Sequence, residues 1–94
     1  MENTISAKAF IALQGKRYNT AVSAVVDAGL GNRPMTPQIH KHVNGALAKL
    51  HAAAFVANLK PADAPLDPRI KDDLSQAVDA AIAATKEWHL AASN

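Results

Sequence analysis

The sequence predicts an all-α protein, a three-helix up-down-up antiparallel bundle with helices over about 4–28, 37–59 and 68–91 in one domain spanning 1–94. Apolar residues recur at three- and four-residue spacing through three long stretches, and strand-type alternation is absent. Proline and glycine gather between those stretches, in the segments from Gly29 to Pro37 and from Pro61 to Pro68. Connections this short return each helix against the one before it.

In the first helix, Thr4 or Ser6 is placed to cap the start and Gly29 to stop the end. At about 100° per residue, Ala7, Phe10, Ile11, Gln14, Tyr18, Ala21, Val22, Val25 and Ala28 share one face. Gln14 and Tyr18 on that face need hydrogen-bond partners if they are buried. Either the partners lie across a helix or subunit boundary, or Gln14, Arg17 and Tyr18 line a ligand pocket in which Tyr18 stacks on a flat ring.

The following turn holds Gly29, Gly31, Arg33, Pro34 and Thr36-Pro37, the last pair reading as an N-cap followed by a first-turn proline. Arginine, hydroxyl and free N–H groups at a helix start form the outline of an anion site. The spacing matches neither a P-loop nor a dinucleotide fingerprint, and an ordinary helix–helix turn needs no ligand.

The central helix carries Ile39, Val43, Ala46, Leu47, Leu50, Ala53, Ala54 and Ala57 on its inner face. Its opposite side is also small or apolar, with Ala48, Ala52, Phe55, Val56 and Leu59. A helix apolar on two sides is buried on two sides. In a three-helix domain the second face is expected to meet another subunit or a partner. The stretch from Thr36 to Lys60 holds three of the four histidines and no acidic residue.

Asp67 caps the third helix, Pro68 takes its first position, and Asp72 and Asp73 lie near the positive end of its dipole. Ile70, Leu74, Ala77, Val78, Ala81, Ala84, Thr85 and Trp88 form its inner stripe. Alanine is roughly a fifth of the chain and aromatics are 4%, so Trp88 reads as the one large anchor of a thin core. Oligomer formation would relieve that shortage, and a homo-oligomer is expected.

Composition narrows the function. The chain has no cysteine, which removes disulfides, thiolate metal sites and thiol catalysis. No apolar run approaches the roughly 18–20 residues of a membrane-spanning helix, and the opening MENTISAKAF lacks the layout of a secretion signal. A soluble, cytoplasmic protein is expected. His40 and His51 lie three turns apart, His40 and His42 point to different sides, and HExxH is absent, so neither a metal nor a cofactor is expected. Ser6, Ser23 and Ser75 lie in helical patterns without a nucleophile elbow, and Asp72 and Asp73 diverge by about 100°. No enzyme is expected.

Charge is uneven. Up to Ala62, seven basic residues face two acidic ones, a net of +5; from Asp63, three basic face six acidic, a net of −3. Either the acidic third helix packs beside basic partners, or the first two helices present an anion-binding surface.

Three readings follow. The first is a helical accessory or inhibitor protein, of a size and make-up common among phage and mobile-element accessory proteins. It would bind a protein partner through Ala48, Ala52, Phe55, Val56 and Leu59 and a cationic rim. The second holds a small anionic ligand, such as a nucleotide or cyclic oligonucleotide, between subunits through Lys16, Arg17, Tyr18, Arg33, Thr36 and Lys49. The third is nucleic-acid binding, against which the dispersed basic residues and near-antiparallel helices weigh.

Overall fold

Ser6 starts the first helix. Its backbone is extended and its hydroxyl accepts from the Ala9 N–H at 3.2 Å, so α1 runs Ala7–Asp27. The other candidate cap, Thr4, lies outside the described residues, which are 6–29, 32, 34–61 and 64–93 of a computed structural model. Gly29 ends the helix: its φ of +77° is open to glycine at no steric cost, and its N–H donates to the Val26 carbonyl at 2.9 Å.

Thr36 and Pro37 do what their order predicts. The Thr36 hydroxyl accepts from the Ile39 N–H at 3.2 Å and α2 runs Pro37–Asn58. At the third start the Asp67 carboxylate accepts from the Arg69 N–H at 2.8 Å, and α3 runs Pro68–Ser93. It continues two residues beyond the expected end, because nothing from Ala91 to Ser93 breaks a helix.

The three helices all pack against one another. Tyr18 of α1 reaches Val43 of α2, whereas Lys8 and Ile11 face Ala54 and Ala57, so these two helices are antiparallel. Ser6 bridges Pro65, and the Ala7 N–H donates to the Ala64 carbonyl at 2.8 Å, which sets the start of α1 beside the start of α3. The topology is therefore up-down-up, with α1 and α3 parallel. Extents of 47 × 23 × 20 Å make the bundle a narrow rod. No helix among the described residues is long and apolar enough to cross a membrane.

A narrow rod has little interior, and its large side chains are spread along its length. Phe10 lies near the Ser6–Pro65 end, Tyr18 near the middle, and Trp88 toward the α1–α2 turn, all three buried. Trp88 is thus not the only anchor. Between these rings the helices meet through Ala46, Ala53, Ala81 and Ala84, with Leu74, Val78 and Val25 fully enclosed. Ala28, at the end of α1, and Leu47 and Ile70, all expected inside, are exposed. Leu47 lies at the edge of its helix stripe and Ile70 in the first turn of α3, where a three-helix rod has no neighbour to cover them.

Candidate functional site

Two polar residues of the core explain how α1 is held. Tyr18 is 7% exposed and its hydroxyl donates to the Val43 carbonyl at 3.1 Å, a partner across a helix boundary. Gln14 is 4% exposed, and its partner is on its own helix: Arg17 Nη1 donates to Gln14 Oε1 at 2.7 Å. Arg17 also reaches Asp79 of α3 at 2.5 Å. One guanidinium therefore satisfies the carbonyl oxygen of a buried amide and ties α1 to α3.

A second cross-helix ion pair among the described residues joins Lys49 of α2 to Asp73 of α3 at 2.7 Å. Both pairs are solvent-accessible, so each contributes only about 0–1 kcal/mol. Their arrangement matters more than their strength. At both places the basic helices pack against the acidic one, as the first reading of the charge pattern expected.

These contacts scatter the residues proposed for an anionic ligand. Tyr18 is a core residue whose hydroxyl is engaged, so a role in stacking on a ligand ring is not available to it within the protomer. The Thr36 hydroxyl is occupied as the α2 cap, Lys49 is held by Asp73, and Arg17 is held by Gln14 and Asp79. Lys16 is exposed on the other side of α1 from Tyr18. Arg33 lies outside the described residues. The five described residues do not share one site: Lys16 and Arg17 border the seam between α1 and α3, whereas Tyr18, about 100° further round the helix, turns into the core toward α2.

Burial raises the pKa of Tyr18 above its usual 10.0. A raised folded-state pKa means that the unfolded chain loses this proton first as pH climbs. The hydroxyl's contribution to stability is therefore complete below about pH 10 and falls away as pH rises through the folded pKa. Tyr18 is the only tyrosine. Alkaline titration is expected to show tyrosinate absorbance rising together with loss of helical circular dichroism; ionisation at the ordinary pKa with the helices intact would show that the ring is open to solvent.

The residues expected to form a partner surface fare differently. Ala48, Ala52, Phe55, Val56 and Leu59 are all exposed, Phe55 at 67% and Leu59 at 74%. They recur at positions 48, 52, 55 and 59, a stripe on the side of α2 opposite its buried Ile39, Val43, Leu50 and Ala57. Gly45 continues the same stripe one turn earlier. A Cβ added at Gly45 would meet nothing within 4 Å. Lys41 and Lys60 flank the stripe, Lys49 beside it is paired with Asp73 of α3, and α2 contains no acidic residue.

A second surface was not singled out by the sequence. Between α1 and α3 runs an open groove of about 550 Å³, floored by Leu13, Ala21, Ala24, Val25 and Ile82 and edged by Thr20. Among the described residues its charged and titratable lining is Lys16, Arg17, Lys86 and His89, with no acidic residue. The available signal was topological: an up-down-up bundle puts α1 and α3 side by side and parallel, with Leu13, Arg17 and Ala24 on the α1 flank that faces the seam.

The histidines of α2 stay on the surface. Asn44 Nδ2 lies 2.8 Å from a His40 ring nitrogen, one turn away, and His42 and His51 are exposed. Among the described residues no three His, Asp or Glu side chains are grouped to hold a metal ion. No known protein family, curated protein or solved structure matches the chain.

Proposed function

We propose that this chain is a small, non-enzymatic helical binding protein, an accessory or inhibitor protein of the phage or mobile-element kind, whose working surface is the outer face of α2. The observation that carries this reading is the pair Phe55 and Leu59, one helical turn apart and both mostly exposed, on a helix without a single acidic residue. Exposed aromatics with an aliphatic neighbour are the usual anchors of protein interfaces. The cationic rim selects the partner: a segment with apolar anchors and acidic flanks, docking as a helix in a shallow groove.

Gly45 supports the same surface independently. Glycine in the middle of a helix costs about 1 kcal/mol relative to alanine, and none of the described residues needs the space. A neighbour's backbone crossing close to α2 at that point would need it. Gly15 of α1 has equally open surroundings but lies on no exposed apolar stripe, which makes it a control.

A second copy is the other occupant that the shape favours. The stripe is small at one end (Gly45, Ala48) and large at the other (Phe55, Leu59). Two copies crossing antiparallel about Ala52 would therefore set large residues over small ones. Against this, self-pairing brings two acid-free helices together. Charge favours a foreign, acidic partner. Nucleic acid fits less well, since Arg17 and Lys49 are already paired with aspartates and the remaining cations are dispersed.

The test places a photo-crosslinking residue at Ala52 and irradiates cells. The expected product is an adduct to one protein through an acidic segment, reduced at least tenfold by Phe55→Asp or Leu59→Asp with helicity unchanged. Gly45→Ala is expected to stabilise the helix by about 1 kcal/mol and still weaken the adduct, while Gly15→Ala stabilises without weakening it. An adduct of twice the protomer mass would identify the second-copy arrangement. Crosslinking unaffected by the two aspartates would remove this face from consideration.

A further inference from the structure

We propose that the α1–α3 groove is a binding site for a single-chain amphiphile with an anionic head, such as a fatty acid or alkyl sulfate, separate from the partner face on α2. The groove has the two parts that such a ligand needs. Its floor is aliphatic, from Leu13 through Ala24 and Val25 to Ile82. Along α1 the lining spans residues 13 to 25, about 18 Å at 1.5 Å per residue, long and narrow enough for an extended alkyl chain. At about 550 Å³ it is within the usual range of small-molecule sites.

Charge decides the head group. Lys16, Lys86, Arg17 and His89 line the groove without an acidic residue among them. Arg17 is shared with Asp79, but neither Lys16 nor Lys86 is in an ion pair among the described residues. Two lysines from opposite walls at the edge of an apolar trough attract a carboxylate or sulfate while the trough takes the tail.

The lining also decides against a nucleotide. No Phe, Tyr or Trp is among the described residues that border the groove, so a base finds no large ring to stack on beyond the His89 imidazole, and the chain's single tyrosine is committed to Val43. The buried Thr85 hydroxyl is spent on the Ile82 carbonyl at 2.7 Å. With few free donors on the floor, the site suits a ligand whose buried part makes no hydrogen bonds.

Isothermal titration of the full chain with sodium dodecanoate, kept below the concentration at which it forms micelles, tests this. One dodecanoate per chain is expected. Ala24→Trp fills the trough from an exposed position and is expected to weaken binding at least tenfold; Thr20→Trp does the same from the lip if the first variant folds poorly. Lys16→Glu with Lys86→Glu is expected to weaken dodecanoate at least tenfold, and uncharged dodecanol to bind at least tenfold more weakly than dodecanoate. Phe55→Asp is expected to change nothing here, so the two surfaces succeed or fail separately. No binding below the micellar concentration, or binding indifferent to the tryptophans or to charge, overturns the site. Dissociation of an oligomer by Ala24→Trp would make the groove a contact between copies, and binding only to phosphatidylglycerol vesicles would make the lysines a membrane contact; either result overturns it too.

Discussion

Replacing Trp88 with alanine is expected to lower stability by about 3–5 kcal/mol, the range for removing a buried tryptophan from a packed core. Domains of this size are stable by only about 5–15 kcal/mol, so the loss is a large share of the total. The geometry makes it severe. Trp88 is 4% exposed and is the large residue toward the turn-proximal end of a rod only 23 × 20 Å across. Nearby core positions include Ala84, which cannot expand to fill the space, so the cavity persists. Urea unfolding followed by far-UV circular dichroism should show a markedly lower midpoint, and thermal melting a fall of roughly 15–30 °C. Trp88→Phe should recover much of the loss. A drop of under about 1 kcal/mol would show that the end of the bundle is held by something other than this ring.

Replacing Arg17 with methionine is expected to cost about 1–3 kcal/mol, the penalty for leaving a buried polar group without its partner. The exposed ion pair to Asp79 accounts for little of that, so Asp79→Ala should cost no more than about 1 kcal/mol. The difference lies in Gln14, whose buried carboxamide oxygen accepts from the same guanidinium at 2.7 Å. Methionine keeps the aliphatic stem along the groove wall, which separates the polar loss from a packing loss. The decisive comparison is the double variant Gln14→Met with Arg17→Met. Removing both polar partners should restore part of what Arg17→Met alone takes away. If the two single losses simply add, Gln14 does not depend on Arg17.

Much of the fold was written in local chemistry. The Ser6, Thr36 and Asp67 caps, the prolines at 37 and 68 and the left-handed Gly29 each act within three residues of themselves, so sequence alone places the helix starts and stops to within a few residues. Periodicity then found most of the core, because a helix face is fixed once the helix is. It erred at Leu47 and Ile70, where the helical angle is near the stripe but the position along the rod decides whether a neighbour is present.

The candidate sites divide along the same line. The outer face of α2 was legible because all of its residues belong to one helix, at positions 48, 52, 55, 56 and 59. Charge and side-chain type alone select Lys16, Arg17, Tyr18, Arg33, Thr36 and Lys49 as a ligand set, and neither property says which neighbours a residue has in the fold. The α1–α3 groove is lined from two helices, by Leu13 and Lys16 of α1 and by Ile82 and Lys86 of α3, residues about seventy positions apart.

The sequence by itself determined three helices, their ends, their up-down-up order and a second apolar stripe on the middle one. All of these follow from short-range hydrogen bonding, backbone preference and the period of a single helix. Only the tertiary structure decided that Tyr18 faces Val43, that Gln14 is served by Arg17, that Lys49 belongs to Asp73, and that a cation-edged trough lies open between the first and third helices. Those outcomes depend on how far each helix slides and turns against the others. That is set by the fit of Ala46, Ala53, Ala81 and Ala84 where the backbones come closest, which no single helix contains.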